Sequence, residues 1–366
     1  MNHTVKKIFR VLFCILRRIL LLIFTAVILA VIGLILACNL VFNGPSPAAR
    51  DVLTMSMLES SGMKWCPALF LGEEVVEEIR TQEFIPPAED IADTPEVIIN
   101  VANNDVYSDE WKDYPDGIRI DEIFGDTYTA YVMLIRNPAD VYLATSTSHY
   151  STEIPGTRIH HQIRTENALA AINGGAFNDD GTLGEYVGSL PMGLTVSQGR
   201  IVWDDGTSYE GFVGFDENDI LVVAETMSAE QARELKIRDG CCFGPVLLIN
   251  GMVNDTEFSR NSGYNPRTAV GQRSDGTVIF VCVNGRQAGS LGATYADLIN
   301  IMVEYGAVNA CNLDGGASTT MMYRDTYGRY GTQGEIVIVN NPAILQEIPR
   351  KMPTFFMVKP SDNSEG

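Results

Sequence analysis

The sequence predicts an α+β fold: strand-rich mixed sheets with a few packed helices, preceded by one transmembrane helix. Three observations predict it. A 24-residue apolar run fills positions 19–42. From Tyr128 onward, short runs with β character alternate with turn dipeptides such as Gln198-Gly199, Asn250-Gly251 and Asp275-Gly276. Two amphipathic segments open on helix-capping residues, Ser228 and Thr294.

The apolar run comes first in the chain. At 1.5 Å per residue it spans a hydrocarbon core about 30 Å thick. Residues 1–50 hold six basic residues, Lys6, Lys7, Arg10, Arg17, Arg18 and Arg50, and no acid. Five of the six precede the run, which predicts a single-pass membrane anchor at 19–42, a cytoplasmic basic segment at 1–18 and an extracellular body. A cleaved signal peptide is the plainer alternative, but the run exceeds an ordinary signal core and no A-x-A site follows. Ile35-Leu36-Ala37-Cys38 loosely matches a lipoprotein cleavage box and ranks second to the anchor.

The rest of the chain is acidic. The total is 26 Lys+Arg against 46 Asp+Glu, a charge of −20. Beyond position 50 that leaves 20 basic and 46 acidic residues, or −26. Such a balance argues against general nucleic-acid binding, because phosphate contacts need a basic surface. A content of 46% hydrophobic and 9% aromatic residues supports a packed core rather than disorder.

Residues 43–125 read as a stalk and irregular lead-in, with helix over 50–81 and Pro-, Asp- and Asn-rich loop over 85–117. Strands are predicted at 128–135, 141–144, 168–172, 194–196, 201–203, 212–215, 220–223, 246–249 and 268–271. Helices are predicted at 229–238 and after Thr294, the second ending at Gly306, with a strand from Ala307. The main body is placed at 126–360.

Seven cysteines contain no C-x-x-C pair, which argues against a zinc ribbon. Cys282 and Cys311 read as small core residues, and Cys241-Cys242 as two buried thiols rather than a vicinal disulfide. His160-His161 reads as a surface pair. Serine-hydrolase, zincin and P-loop motifs are all missing from the sequence.

Three Gly-bearing clusters put polar residues at strand ends. In Asn173-Gly174-Gly175, paired glycines admit close backbone approach, and Asn173 suits a sugar hydroxyl. A tight turn explains that cluster equally well. Arg267 and Arg286 each adjoin a strand, and the guanidinium fork suits a bound anion. Asn284, in Asn284-Gly285-Arg286, also fits a plain turn. In 311–320, alternation places Asn312 and Asp314 on one face, with Gly315 and Gly316 opening space and Ser318 following. Asp314 can act as acid/base, metal ligand or turn carboxylate. Asp179, Asp180 and Glu185 are candidates for a second carboxylate. No dedicated metal loop occurs, and Ca²⁺ bound by Asp314 with backbone carbonyls stays open as the one candidate cofactor.

Taken in order, AINGGAF (171–177), PMGLTVSQGRIV (191–202), NPRTAVG (265–271), the 283–307 stretch beginning VNGRQAG, and NLDGGASTTM (312–321) resemble the phosphodiester glycosidase family. The resemblance spans about 165–358. It implies cleavage of a sugar-1-phosphodiester, of the GlcNAc-1-phosphate diester type, between anomeric carbon and phosphate oxygen. The expected partner is therefore a glycan or glycosyl phosphate, in cell-envelope or exopolysaccharide metabolism. By motif it implies Asp314, Arg286 and Arg267 as catalytic residues. Asn173, Gly174, Gly175, Asn284, Asn312, Gly315, Gly316 and Ser318 then form the substrate site. One departure stands out: the family usually has D-G-R where this chain has Asn284-Gly285-Arg286. A non-catalytic glycan-binding module that keeps the pocket is the alternative reading.

Overall fold

The computed structural model describes residues 3–60, 62–81, 99, 108–178, 187–254, 262–287, 289–340 and 349–360. The chain divides into two units, residues 1–81 and 82–366.

The first unit is helical. Helix α1 (His3–Phe42) contains a 28-residue stretch, Ile15–Phe42, long and apolar enough to cross a membrane. Asn43-Gly44 ends it. Ser46 caps α2 (Pro47–Leu58), with Pro47 at the first helical position, where its missing N–H costs nothing. The helix predicted over 50–81 is in fact three: α2, α3 (Cys66–Leu71) and α4 (Glu73–Thr81). Gly72, at φ +77°, makes the second break, since glycine takes this conformation without a Cβ clash. Phe42 and Phe70 stack 5.2 Å apart within this unit.

The second unit begins earlier than the 126–360 boundary read from the sequence. Within the 43–125 lead-in lie α5 (Ser108–Trp111), whose Trp111 is buried, and β1 (Ile118–Phe124). β1 pairs along its whole length with β2 (Thr129–Ile135). Then follow β3 (Val141–Thr145), β4 (Thr157–Arg158), α6 (Ile159–Thr165), β5 (Ala170–Asn173), β6 (Phe177–Asn178) and β7 (Leu190–Pro191). Next come β8 (Leu194–Ser197), β9 (Arg200–Asp204), β10 (Phe212–Asp216), β11 (Leu221–Ala224), α7 (Ala229–Glu234) and β12 (Ile237–Cys242). The middle of the unit holds β13 (Val246–Ile249), β14 (Met252–Val253), β15 (Arg267–Arg273), β16 (Val278–Val283), α8 (Tyr295–Glu304) and β17 (Ala307–Leu313). β18 (Met321–Arg324), β19 (Ile336–Ile338), β20 (Lys351–Met352) and β21 (Thr354–Val358) complete it.

Three larger sheets result, with strand orders β1-β2-β16-β15-β17-β13-β14, β11-β10-β12-β8-β9 and β19-β18-β5-β21-β3. Among the described residues every pairing is antiparallel, which completes the α+β reading. Two of the three hairpin dipeptides do what their composition predicts, whereas in Asp275-Gly276 only Gly276 has positive φ. Gln198-Gly199 and Asn250-Gly251 both carry positive φ at the two turn positions, the requirement of a type I′ turn.

The layers follow from burial. One face of the seven-stranded sheet packs Leu134, Val281 and Ala269 against Leu298, Ile301 and Met302 of α8. The other meets both five-stranded sheets through Met133, Phe280 and Leu313 against Phe215, Ile172 and Phe356. α6 closes the outer face of one five-stranded sheet and α7 that of the other. Strands covered on both faces read as continuous apolar runs, as in the fully buried β16.

Two reciprocal capping boxes fix the helix starts: Ser228 with Gln231, and Thr294 with Asp297. The helix predicted at 229–238 ends at Glu234 instead. Lys236 turns left-handed, at φ +51°, and Ile237 is drawn into β12 opposite Asp216. Sheet pairing overrides helix propensity there.

Candidate functional site

The strand ends of β5, β15, β16 and β17 meet at one end of the seven-stranded sheet. Register shows this directly. Arg267 lies opposite Val283, Thr268 lies opposite Leu313, and the Asn284 N–H donates to the Thr129 carbonyl. The three Gly-bearing clusters therefore come together.

Asn173 is fully buried at the end of β5. Its Nδ2 donates to the Asp314 carbonyl at 2.6 Å. Its Oδ1 accepts from the Thr268 hydroxyl at 2.8 Å and from the Thr320 N–H at 3.2 Å. Gly174 and Gly175 are required by packing. A Cβ on Gly174 would lie 2.4 Å from Thr354 Oγ1, and one on Gly175 would lie 2.6 Å from the Cys242 carbonyl. The Asp314 N–H donates to the Gly174 carbonyl at 3.3 Å. This cluster supports Asp314 from beneath.

Asp314 leaves the end of β17 half-buried. A Cβ on Gly315 would sit 2.6 Å from the Pro266 carbonyl, which also accepts the Gly316 N–H at 2.8 Å. Ser318 is buried in the short 3₁₀ turn Gly316–Ser318, its N–H on the Gly315 carbonyl. Tyr209 faces this group from the loop before β10. Burial, then the Asp314 carboxylate, pushes its phenol pKa up.

The two arginines differ sharply. Arg267 is 4% exposed, on the α8 side of the sheet. Its Nε donates to the Ala293 carbonyl at 3.2 Å and its Nη2 to the Gly263 carbonyl at 2.9 Å. Its guanidinium lies 3.9 Å over the ring of Tyr295, the first residue of α8. Arg286 is exposed. It holds φ +57°, a conformation non-glycine residues rarely adopt and one that concentrates at functional sites. Its Nη2 donates to Asn265 Oδ1 at 2.9 Å, and its guanidinium lies 3.4 Å from the Cβ position of Gly316. Gly316 thus leaves room for a cation beside the Asp314 loop.

Asn284 is buried at the end of β16, where its carbonyl accepts the Ser290 hydroxyl at 2.7 Å. Asn312 is also buried. Its Nδ2 donates to the Gly244 carbonyl at 2.8 Å, and its N–H to the Pro245 carbonyl at 3.1 Å. Asn312 lies opposite Ala269, which packs toward α8, whereas Leu313 packs toward the other sheets. The site residues therefore approach the sheet end from both faces: Arg267 and Asn312 from the α8 side, Asn173 and Thr268 from the inter-sheet side.

Asp179, Asp180 and Glu185 lie outside the described residues. Among the described residues no group of three His, Cys, Asp or Glu side chains is arranged to hold a metal. His160 and His161 sit ring to ring at 4.3 Å on α6, and burial followed by the neighbouring imidazole lowers the His160 pKa. The described cysteines are free thiols, with Cys241, Cys242, Cys282 and Cys311 buried.

Thr268, Thr320, Asn265, Tyr295 and Tyr209 join the site without being among the residues expected there. Asn265 and Thr268 flank Arg267 in the motif, and Tyr295 follows the Thr294 cap, so each had a local signal. Tyr209 had none.

The antiparallel sheets and the sequence blocks that meet at their shared strand end are those of the phosphodiester glycosidase class. The chain belongs to that family: the phosphodiester glycosidase profile matches residues 166–359, just over half of it. The fold is similar to that of the zebrafish N-acetylglucosamine-1-phosphodiester α-N-acetylglucosaminidase catalytic domain, auto-inhibited by its pro-peptide. That match has a TM-score of 0.50 and 20% identity, covering 66% of this chain and 82% of that one. The SPbeta prophage-derived uncharacterized protein YomE of Bacillus subtilis is 28% identical over 172 residues. The alignment covers 45% of this chain, which spans about a quarter (26%) of that relative's length.

Proposed function

We propose that this chain hydrolyses a sugar-1-phosphodiester of the GlcNAc-1-phosphate type, releasing free sugar and a phosphomonoester. The observation that carries the reading is the placement of the exposed Arg286 guanidinium against Gly316, two residues from Asp314. A phosphate leaving group needs little acid assistance. The site must chiefly place positive charge on phosphate and a carboxylate near the anomeric carbon. Arg286 serves the phosphate directly. Arg267, fixed on Tyr295 and two carbonyls, adds its charge from below. Asp314 works at the anomeric carbon, and Asn173, by holding the Asp314 main chain, is a positioning residue. The apolar helix and the basic residues before it support a membrane-held enzyme facing outward, acting on cell-envelope glycans or exopolysaccharide.

The test is sugar release from a GlcNAc-1-phosphodiester by the purified full chain. Asp314→Asn should abolish release with little change in melting temperature. Equal activity in that variant removes Asp314 from the chemistry.

Asn284 favours a second reading, a glycan-binding module without turnover, because an amide stands where the family usually has an aspartate. Glycan binding without release, even after Asn284→Asp, would select that reading.

A further inference from the structure

We infer that the aglycone of the substrate is a lipid, so that the enzyme acts on a lipid-linked glycosyl phosphate. This rests on the phosphodiester reading above and names its substrate class.

Two large apolar side chains stand in solvent on the segments next to the Arg286 loop: Phe124, 74% exposed, and Leu291, 55% exposed. Leu291 is held to Arg286 by backbone, and Phe124 precedes the 125–128 turn that is tied to the same loop. The Arg286 N–H donates to the Leu291 carbonyl at 3.0 Å, and the Leu291 N–H to the Thr127 carbonyl at 2.7 Å. The Thr127 hydroxyl donates to the Gly292 carbonyl at 2.9 Å, and the Ser290 hydroxyl accepts the Thr129 N–H at 3.1 Å. The 125–128 turn is thus laced to the loop that carries Arg286. Phe124 lies opposite Thr129, whose carbonyl accepts the Asn284 N–H, so Phe124 stands two strand spacings, about 10 Å, from Asn284.

A single exposed apolar residue needs no explanation, but two on neighbouring segments at the loop that carries the phosphate-binding guanidinium of the proposed reaction give that end of the sheet an amphipathic rim. Phosphate on Arg286 and the first carbons of an apolar chain on Phe124 and Leu291 match an amphiphile. The same chain carries a helix apolar enough to sit in the bilayer where such a substrate is held. In the step, water adds to the anomeric carbon as the C1–O bond to phosphate breaks. The water's hydroxyl goes to the sugar and its other proton to the phosphate group, leaving a lipid phosphomonoester.

The test uses the full chain in phosphatidylcholine vesicles, with N-acetylglucosamine 1-(geranyl phosphate) and 1-(methyl phosphate) as probes and free sugar as readout. The expected result is kcat/KM at least tenfold higher for the geranyl diester, with Phe124→Ser/Leu291→Ser reducing that ratio to threefold or less. Equal rates on the two diesters overturn the lipid assignment and leave the phosphodiester reading standing. Release from neither overturns both. A ratio untouched by the double variant removes this rim from the site. A dimer in sedimentation that the double variant dissociates assigns the pair to self-contact and also overturns the proposal.

Discussion

The Asn173 side-chain amide donates to the Asp314 main-chain carbonyl at 2.6 Å, joining residues 141 positions apart. With Thr268 and Thr320 on its Oδ1, one buried asparagine ties β5, β15 and both sides of the Asp314 loop together. Asn173→Ala leaves the Thr268 hydroxyl, the Thr320 N–H and the Asp314 carbonyl without that partner. Each buried orphan costs roughly 1–3 kcal/mol, so a loss of about 3 kcal/mol is expected in urea unfolding. Asn173→Asp should be at least as damaging, because it sets a buried carboxylate against a carbonyl. A loss below about 1 kcal/mol for either variant would show that the amide is dispensable.

The two arginines give opposite predictions. Arg267→Lys keeps the charge but loses the planar stack on Tyr295 and one of the directed bonds, so it should destabilise by about 2 kcal/mol. Arg286→Lys, on the surface, should leave stability within about 0.5 kcal/mol and raise KM for the diester. Thermal melts beside kinetics separate them. If both variants act only on KM, Arg267 is not a structural cation.

What was legible in the sequence had local causes. Gln198-Gly199, Asn250-Gly251 and the Ser228 and Thr294 caps announce their geometry within four residues. The family blocks place their residues at strand ends for the same reason. The rest depends on partners far along the chain. Nothing near Lys236 shows that Ile237 will pair with Asp216, nothing near Asn173 shows Thr268 or Thr320, and β1 is legible only beside β2. Tyr209 comes within reach of the Asp314 charge only because separate sheets converge, so its loop carries no motif.

Glycine substitutions should separate by the space around them. Gly174→Ala and Gly315→Ala drive a Cβ to 2.4 Å from Thr354 Oγ1 and to 2.6 Å from the Pro266 carbonyl. Such overpacking typically costs 1–3 kcal/mol, and both changes should also lower turnover by displacing Asp314. Gly289→Ala meets nothing within 4 Å and should be near neutral in both assays. Equal melting temperatures for the three variants would contradict this packing.

Burial pushes the thiol pKa of Cys242 up to about 11 and that of Cys282 up to about 12, from 9.0. With folded values raised, the unfolded chain loses these protons first as pH climbs. The stability from keeping the thiols neutral is full below pH 9 and is lost as pH rises through about 11 and 12. Melting temperature should therefore fall from pH 9 to 11, and less steeply in Cys242→Ala. Native chain at pH 8 should resist iodoacetamide at both positions, and urea should expose them. Rapid native labelling of Cys282 would refute the burial.

Asn284 supplies the last prediction. Its main-chain N–H donates to the Thr129 carbonyl and its carbonyl accepts the Ser290 hydroxyl, so both backbone groups hold the turn that aims Arg286. Gly285 follows it pressed against Pro266, where a Cβ would fall 2.6 Å from the proline nitrogen. These features shape the loop whether an amide or a carboxylate occupies position 284. If turn-shaping is the residue's role, Asn284→Asp should change kcat/KM for the diester by less than about threefold, or roughly 0.7 kcal/mol in the barrier. A gain of tenfold or more in kcat, with KM unchanged, would instead make the carboxylate a participant in the chemistry and mark this chain as an attenuated member of its family.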